Sequence, residues 1–207
     1  MTAEHVNPIP NILTLTRLVA GIVMFVFLAG AAGGIPILSA YLTVDDQFLM
    51  QQLACYAFVI AAITDLLDGM LARALHAESR WGAILDPIAD KILVCGTILG
   101  LFALGAQPVI ALPTALILFR EFAVSALREA AAGRGVKVPV SLLAKWKTFF
   151  QLTALGALLL VESWAAFNFD PIYVDGVAQF AYALVWIAAV VTVWTGAAYF
   201  IATRRDI

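Results

Sequence analysis

The chain has 207 residues, of which 63% are apolar and 13% are charged, and its formal net charge is −2. Soluble domains average about 25% charged residues, so this composition excludes an ordinary water-soluble protein. Together with a mean hydropathy of +0.97, it predicts an integral membrane protein, in which apolar helices of about 20 residues cross the bilayer.

Long apolar segments recur along the chain and predict six transmembrane helices. A short interfacial helix, about residues 8–17, is expected to run into the first span. The second helix would be a rod of roughly 43 Å, which is longer than a hydrocarbon layer of about 30 Å, so its polar end should reach the membrane surface. The predicted spans cover about residues 12–29, 47–75, 81–104, 109–132, 142–161 and 178–202. The predicted fold is therefore all-α, with residues 1–207 forming a single transmembrane domain.

The positions of the basic residues predict the orientation of these spans. None of the 12 Lys and Arg residues lies in residues 30–47, 104–108 or 162–178, which are the three loops on one side of a six-span chain. Basic residues are enriched in cytoplasmic loops. Both termini and the two polar connectors are therefore expected on the cytoplasmic side of the cell (inner) membrane.

Four aspartates lie where the second and third helices would meet at the cytoplasmic surface. Asp65 and Asp68 share one face of the second helix, and Asp86 and Asp90 share one face of the third,. Each Asp in a membrane helix costs about 2.5–3.5 kcal/mol on insertion scales, so four together need a counter-charge. Divalent cations with oxygen ligands are the natural choice, and such ions typically also hold substrate phosphates. One or two Mg²⁺ ions are expected there.

A second group of charged residues lies on the fourth helix and at the start of the fifth. Its members are Arg120, Glu121, Arg128, Glu129, Lys145 and Lys147. Arginine is well suited to bidentate phosphate binding, so one interpretation is a pocket for an anionic substrate. The other is that Arg–Glu pairs stabilise the helix ends while the lysines set the topology. The residues alone leave both interpretations open.

The aspartate segment resembles the signature of the CDP-alcohol phosphatidyltransferase family. It reads Asp65-x2-Asp68-Gly69-x2-Ala72-Arg73-x8-Gly82-x3-Asp86-x3-Asp90 and matches that signature at every fixed position. The segment Pro10-Asn11-Ile-Leu-Thr14-x2-Arg17 is similar to the family's N-terminal segment. Two further segments resemble the branch of the family that makes phosphatidylglycerol phosphate. They are Arg120-Glu121-x3-Ser125-Ala-Leu-Arg128-Glu129 and Lys145-x-Lys147-Thr148. The resemblance covers most of residues 8–150.

This resemblance implies a fold, a reaction and cofactors. The family's fold is six transmembrane helices around a cytoplasm-facing polar cavity, usually in a homodimer surrounded by membrane lipids. Its reaction displaces CMP from a CDP-linked lipid by an alcohol, so the expected substrates are CDP-diacylglycerol and sn-glycerol 3-phosphate. Two divalent metal ions, Mg²⁺ or Mn²⁺, are expected as cofactors, and no nucleic-acid partner is expected.

The resemblance also implies roles for individual positions. The metal ions would be held by Asp65, Asp68, Asp86 and Asp90, and Asp90 would also be the catalytic base. The CDP-lipid would be bound by Asn11, Thr14, Gly69, Ala72, Arg73, Ser79 and Gly82. The positive charges themselves suggest a site for the acceptor phosphate, formed by Arg120, Arg128, Lys145 and Lys147.

Two alternatives remain from the residues. The same chemistry could use another alcohol, such as an inositol phosphate or an amino alcohol. A divalent-cation transporter would also carry acidic groups in its membrane helices. CMP release from CDP-diacylglycerol distinguishes the enzyme from a transporter, which would instead move metal ions across a vesicle membrane.

Overall fold

The computed structural model describes residues 9–75, 80–133 and 142–203. These residues form helices and short connections and contain no strand. The helices are α1 (Ile9–Ala31), α2 (Pro36–Ser39), α3 (Val44–Leu75), α4 (Arg80–Leu104), α5 (Ala111–Gly133), α6 (Leu142–Glu162) and α7 (Val174–Thr203). Single turns of 3₁₀ helix lie at Pro108–Ile110, Ala165–Phe167 and Pro171–Tyr173.

Five of the described helices, namely α1, α3, α4, α5 and α7, are long and apolar enough to cross a membrane. The prediction of a multi-pass, all-α protein is confirmed to that extent. The remaining predicted span, about residues 142–161, lies on α6, which has 21 residues. The predicted interfacial helix is not a separate element, because its residues from Ile9 onward are the first turns of α1. Pro10 lies at the start of that helix, where proline is tolerated.

The ends of these helices follow from local sequence. At the start of α3, the Thr43 hydroxyl accepts from the Asp46 backbone N–H at 3.2 Å, and the Asp46 carboxylate accepts from the Thr43 N–H at 2.9 Å. This reciprocal cap satisfies backbone donors that the first turn leaves unpaired. After α4, Gly105 adopts a φ of +99°, a left-handed conformation that favours glycine,.

The chain divides into two compact units. The first comprises Met1–Gly105 and Glu162–Phe169, and the second comprises Ala106–Val161 and Asp170–Ile207. The prediction of a single domain stays a prediction.

In the first unit, α1 packs along both α3 and α4, whereas α3 and α4 make few contacts with each other. Small residues permit the close approach of α1 to α4. A Cβ atom added at Gly100 would lie 2.9 Å from Leu28 Cβ, and one at Gly96 would lie 3.3 Å from Phe25 Cβ. The spacing of these two glycines is that of a helix-packing motif common in membranes. As a result, α1 supplies side chains to both α3 and α4.

In the second unit, α5 packs against α7. Ile117 and Val124 of α5 and Val185 and Ala188 of α7 are buried. This pairing places Arg120 of α5 beside Thr195 and Gly196 of α7.

Candidate active site

A buried arginine of α1 contacts each of the three motif aspartates whose side chains the structure describes. Arg17 Nη1 donates to Asp65 of α3 and, at 2.6 Å, to Asp90 Oδ1 of α4. Arg17 Nη2 donates to Asp86 Oδ1 at 3.0 Å. The Thr14 hydroxyl, one turn earlier on α1, also donates to Asp86 Oδ1, at 2.6 Å. We call Arg17, Thr14, Asp65, Asp86 and Asp90 the acidic cluster.

The members of the acidic cluster differ in their exposure. The Arg17 side chain is 3% exposed, and the Asp65 side chain is 22% exposed. The side chains of Asp86 and Asp90 are 41% and 53% exposed. The guanidinium therefore lies at the closed end of the cluster and Asp90 at its open end, where a substrate group would have access.

The charges in the acidic cluster do not balance. With every side chain ionised, the three described carboxylates outnumber the one guanidinium, which gives these described side chains an excess of negative charge. Unpaired charge at membrane depth is costly. A further cation at the accessible side of the carboxylates would therefore be stabilised there.

The donor set is suited to a hard divalent cation. Each of the three aspartates already directs a carboxylate oxygen at a single cation, the Arg17 guanidinium, and carboxylate oxygens are the ligands that Mg²⁺ and Mn²⁺ prefer,. Within the described side chains, no three His, Cys, Asp or Glu residues are grouped closely enough to hold one metal ion. The Arg17 guanidinium lies among the three carboxylates. The residue types fit a metal site.

The structure describes the other positions predicted to bind metal or CDP-lipid in less detail. Gly82 is buried near the start of α4, and Asn11 is partly exposed on α1, one turn before Thr14. On α3, the backbone positions of four predicted residues are described but their side chains are not; these are Asp68, Gly69, Ala72 and Arg73. Ser79 lies outside the described residues.

Arg17 is a site residue for which no role is predicted from the sequence, although it ends the N-terminal segment that resembles the family's. Two signals in the sequence indicate it. It is an ionisable residue inside an apolar helix, which is by itself a reason to suspect function. It also lies one turn from Thr14, so both side chains occupy the same face of α1.

A second polar cluster lies in the second unit. Glu121 of α5 accepts from Lys147 Nζ of α6, and its Oε1 lies 3.6 Å from Arg120 Nη1. Arg120 Nη2 donates to the Thr195 hydroxyl of α7 at 3.4 Å. The Arg120 stem lies against Gly196, where an added Cβ would be 2.7 Å from Arg120 Cγ. We call these residues the basic cluster, because two cations share one carboxylate.

Two of the four predicted phosphate-binding residues, Arg120 and Lys147, belong to the basic cluster. Arg120 Nε is buried and makes no hydrogen bond with any described residue, and it lies on the side of the stem that faces Gly196. Arg128 lies two turns further along α5, where its guanidinium is 5.7 Å from the centre of the Tyr199 ring, a cation–π contact, and where its charge still acts on Arg120. The side chain of Lys145 is outside the described part of the chain.

Comparison with known proteins relates this chain to one family. A model of the CDP-alcohol phosphatidyltransferase family matches residues 7–194. A CDP-diacylglycerol–glycerol-3-phosphate 3-phosphatidyltransferase of Rickettsia bellii is 39% identical, over 95% of this chain and 96% of its own. A protein of the same name from Cereibacter sphaeroides is 36% identical, over 93% of each chain. An Arabidopsis thaliana protein of that name, numbered 2, is 33% identical over 95% of this chain and 85% of its own.

Proposed function

Because this chain belongs to the CDP-alcohol phosphatidyltransferase family, we propose that it transfers the phosphatidyl group of CDP-diacylglycerol to sn-glycerol 3-phosphate. The products are phosphatidylglycerol phosphate and CMP. The observation that carries the proposal is that relatives 36–39% identical over nearly the whole chain bear the name of this activity. The gathering of motif carboxylates from α3 and α4 around Arg17 supports the same chemistry.

The membrane arrangement we propose has six spans around a cavity open to the cytoplasm. The sixth span would be α6, since a helix of 21 residues is about 31 Å long, enough to cross a hydrocarbon layer of about 30 Å. The basic residues at the start of α6 and near both termini favour cytoplasmic termini in the inner membrane. A homodimer among membrane lipids is part of this proposal.

We infer that Asp65, Asp86 and Asp90, together with Asp68, hold divalent metal ions, Mg²⁺ or Mn²⁺. When bound, these ions would neutralise negative charge that develops on the diphosphate as CMP leaves. Thr14 orients Asp86 through its hydroxyl. The CDP moiety would lie along the same ends of α1, α3 and α4, beside Asn11, Thr14, Gly69, Ala72, Arg73, Ser79 and Gly82.

Asp90 is our candidate for the general base. It is the most exposed of the three described carboxylates, so an acceptor hydroxyl could reach it. Asp90 would take the hydroxyl proton as the acceptor oxygen bonds to the phosphorus of the phosphatidyl group. The bond from that phosphorus to the CMP oxygen breaks, and CMP leaves with the bonding electrons.

The basic cluster is our candidate for binding the acceptor phosphate. Arg120 and Lys147 supply positive charge that Glu121 offsets only in part. A phosphate could accept from the unused donors of Arg120, a charge-assisted contact stronger than a neutral hydrogen bond. Lys145 and Arg128 are the further predicted contributors. An alcohol without phosphate would bring no anion to this cluster.

The direct test of this function is CMP release from CDP-diacylglycerol by the purified protein, with a panel of acceptors. We expect release with sn-glycerol 3-phosphate and Mg²⁺ or Mn²⁺, and its loss with a chelator. Faster release with an inositol phosphate or an amino alcohol would identify that alcohol, instead of sn-glycerol 3-phosphate, as the acceptor. Metal flux into vesicles without any CMP release would support the transporter instead.

Replacing the candidate base separates chemistry from binding. Asp90→Asn keeps the side-chain shape but cannot accept the hydroxyl proton, so turnover should fall by at least about a hundredfold. Binding of CDP-diacylglycerol, measured by equilibrium dialysis of a short-chain analogue, should be largely retained. Wild-type turnover in this variant would exclude Asp90 as the base.

A substitution that crowds Arg120 should weaken the binding of the acceptor and leave the binding of CDP-diacylglycerol unchanged. In Gly196→Ala the new methyl would meet the Arg120 stem, displacing its guanidinium. We expect the KM for sn-glycerol 3-phosphate to rise by about tenfold, the loss of roughly one charge-assisted hydrogen bond, with the KM for CDP-diacylglycerol unchanged. The matched control is Gly176→Ala on the same helix, where an added Cβ meets nothing within 4 Å. An unchanged KM for sn-glycerol 3-phosphate would show that Arg120 does not contribute to the acceptor site.

A further inference from the structure

Arg17 contacts the same carboxylates of the acidic cluster that a metal ion would bind. Its side chain is 3% exposed and contacts Asp65, Asp86 and Asp90 at once. It lies on α1, outside the aspartate motif that carries the metal ligands. Arginine side chains stay protonated in proteins, so the guanidinium is a permanent cation.

We propose that Arg17 is an internal counter-ion that holds the three carboxylates when no divalent cation is bound and competes with that cation for them. The proposal rests on the metal dependence included in the proposed function. It assigns to Arg17 a positioning role rather than a catalytic one, since the guanidinium acts on the aspartates and not on the substrate.

The contacts themselves indicate competition. Arg17 engages Oδ1 of all three aspartates. A carboxylate oxygen that accepts a short hydrogen bond from a guanidinium is less available to a metal ion. Among the described residues, no three His, Cys, Asp or Glu side chains form a group that could hold a metal ion. Some of the Arg17 contacts must therefore loosen before Asp65, Asp86 and Asp90 can approach a common ion.

The same contacts explain why a counter-ion is useful. Without a cation, three neighbouring carboxylates near the membrane surface would repel one another and resist insertion. Arg17 reduces this repulsion before any metal arrives, so the helices can pack. The excess negative charge that remains keeps the cluster attractive to a divalent cation. Arg17 thus stabilises the metal-free protein at the expense of metal affinity.

The test compares Mn²⁺ affinity and thermal stability in the purified, detergent-solubilised full chain. Mn²⁺ binding is followed by the electron paramagnetic resonance signal of the free ion. We expect Arg17→Gln to bind Mn²⁺ on the order of tenfold more tightly than wild type, a typical size for coupling between two ligands. Its melting temperature in chelator should fall, and Mn²⁺ should raise that temperature by more than it does in wild type.

Two further variants make the result decisive. Thr16 lies on the exposed face of the same turn, where its hydroxyl donates to Ile12 O of its own helix. Thr16→Ala should therefore leave the Mn²⁺ affinity unchanged. Arg17→Lys keeps the charge without the fork that reaches three carboxylates, so its affinity should lie between those of wild type and Arg17→Gln. If Arg17→Gln does not fold, the comparison of Arg17→Lys with wild type decides.

Unchanged or weaker Mn²⁺ binding in Arg17→Gln, or in Arg17→Lys if that variant decides, would overturn the proposal. That outcome would leave the proposed function intact, because wild type would still bind Mn²⁺ and release CMP. Absence of Mn²⁺ binding and of CMP release in wild type would instead contradict the proposed function. The two failures are therefore distinguishable in one set of measurements.

Discussion

Three carboxylates from two helices share one buried guanidinium from a third, and this interaction fixes how the first unit is assembled. Among the described residues, α3 and α4 make few contacts with each other, and Arg17 of α1 joins the aspartates of one helix to those of the other. Gly96 lets α1 come close enough for this. Each Asp in a membrane helix costs about 2.5–3.5 kcal/mol on insertion scales, and Arg17 offsets part of that cost.

The two units carry clusters of opposite net charge. In the acidic cluster, carboxylates outnumber cations, which favours divalent metal ions. In the basic cluster, Arg120 and Lys147 outnumber Glu121, which favours an anion. This division corresponds to the two needs of the proposed reaction, namely a metal-bound diphosphate and a phosphorylated acceptor. Glu121 also keeps Lys147 and Arg120 from repelling each other when no anion is present.

The sequence predicts the helices well because apolar length and proline or glycine breaks are local signals. The start of α3 is an exception: the prediction begins near residue 47, whereas the helix begins at Val44. Asp45 and Asp46 resemble a polar loop, but the cap formed by Thr43 and Asp46 makes them the first turn. The convergence of Asp65 with Asp86 and Asp90 is likewise predicted, from helical spacing on either side of a turn.

The partners of those aspartates could not be predicted in the same way. Which helix lies between α3 and α4 depends on packing between distant segments, so spacing alone gives no reason to choose Arg17. Gly196 shows the same limit, since its role depends on the Arg120 stem lying against it.

A double-mutant cycle measures whether Arg17 and the aspartates form one coupled cluster. Unfolding free energies are measured in chelator for Arg17→Met, Asp65→Asn and the double variant. If the residues are coupled, the double variant loses less stability than the sum of the single losses, by about 1–3 kcal/mol, whereas additivity within about 0.5 kcal/mol would show that they are independent.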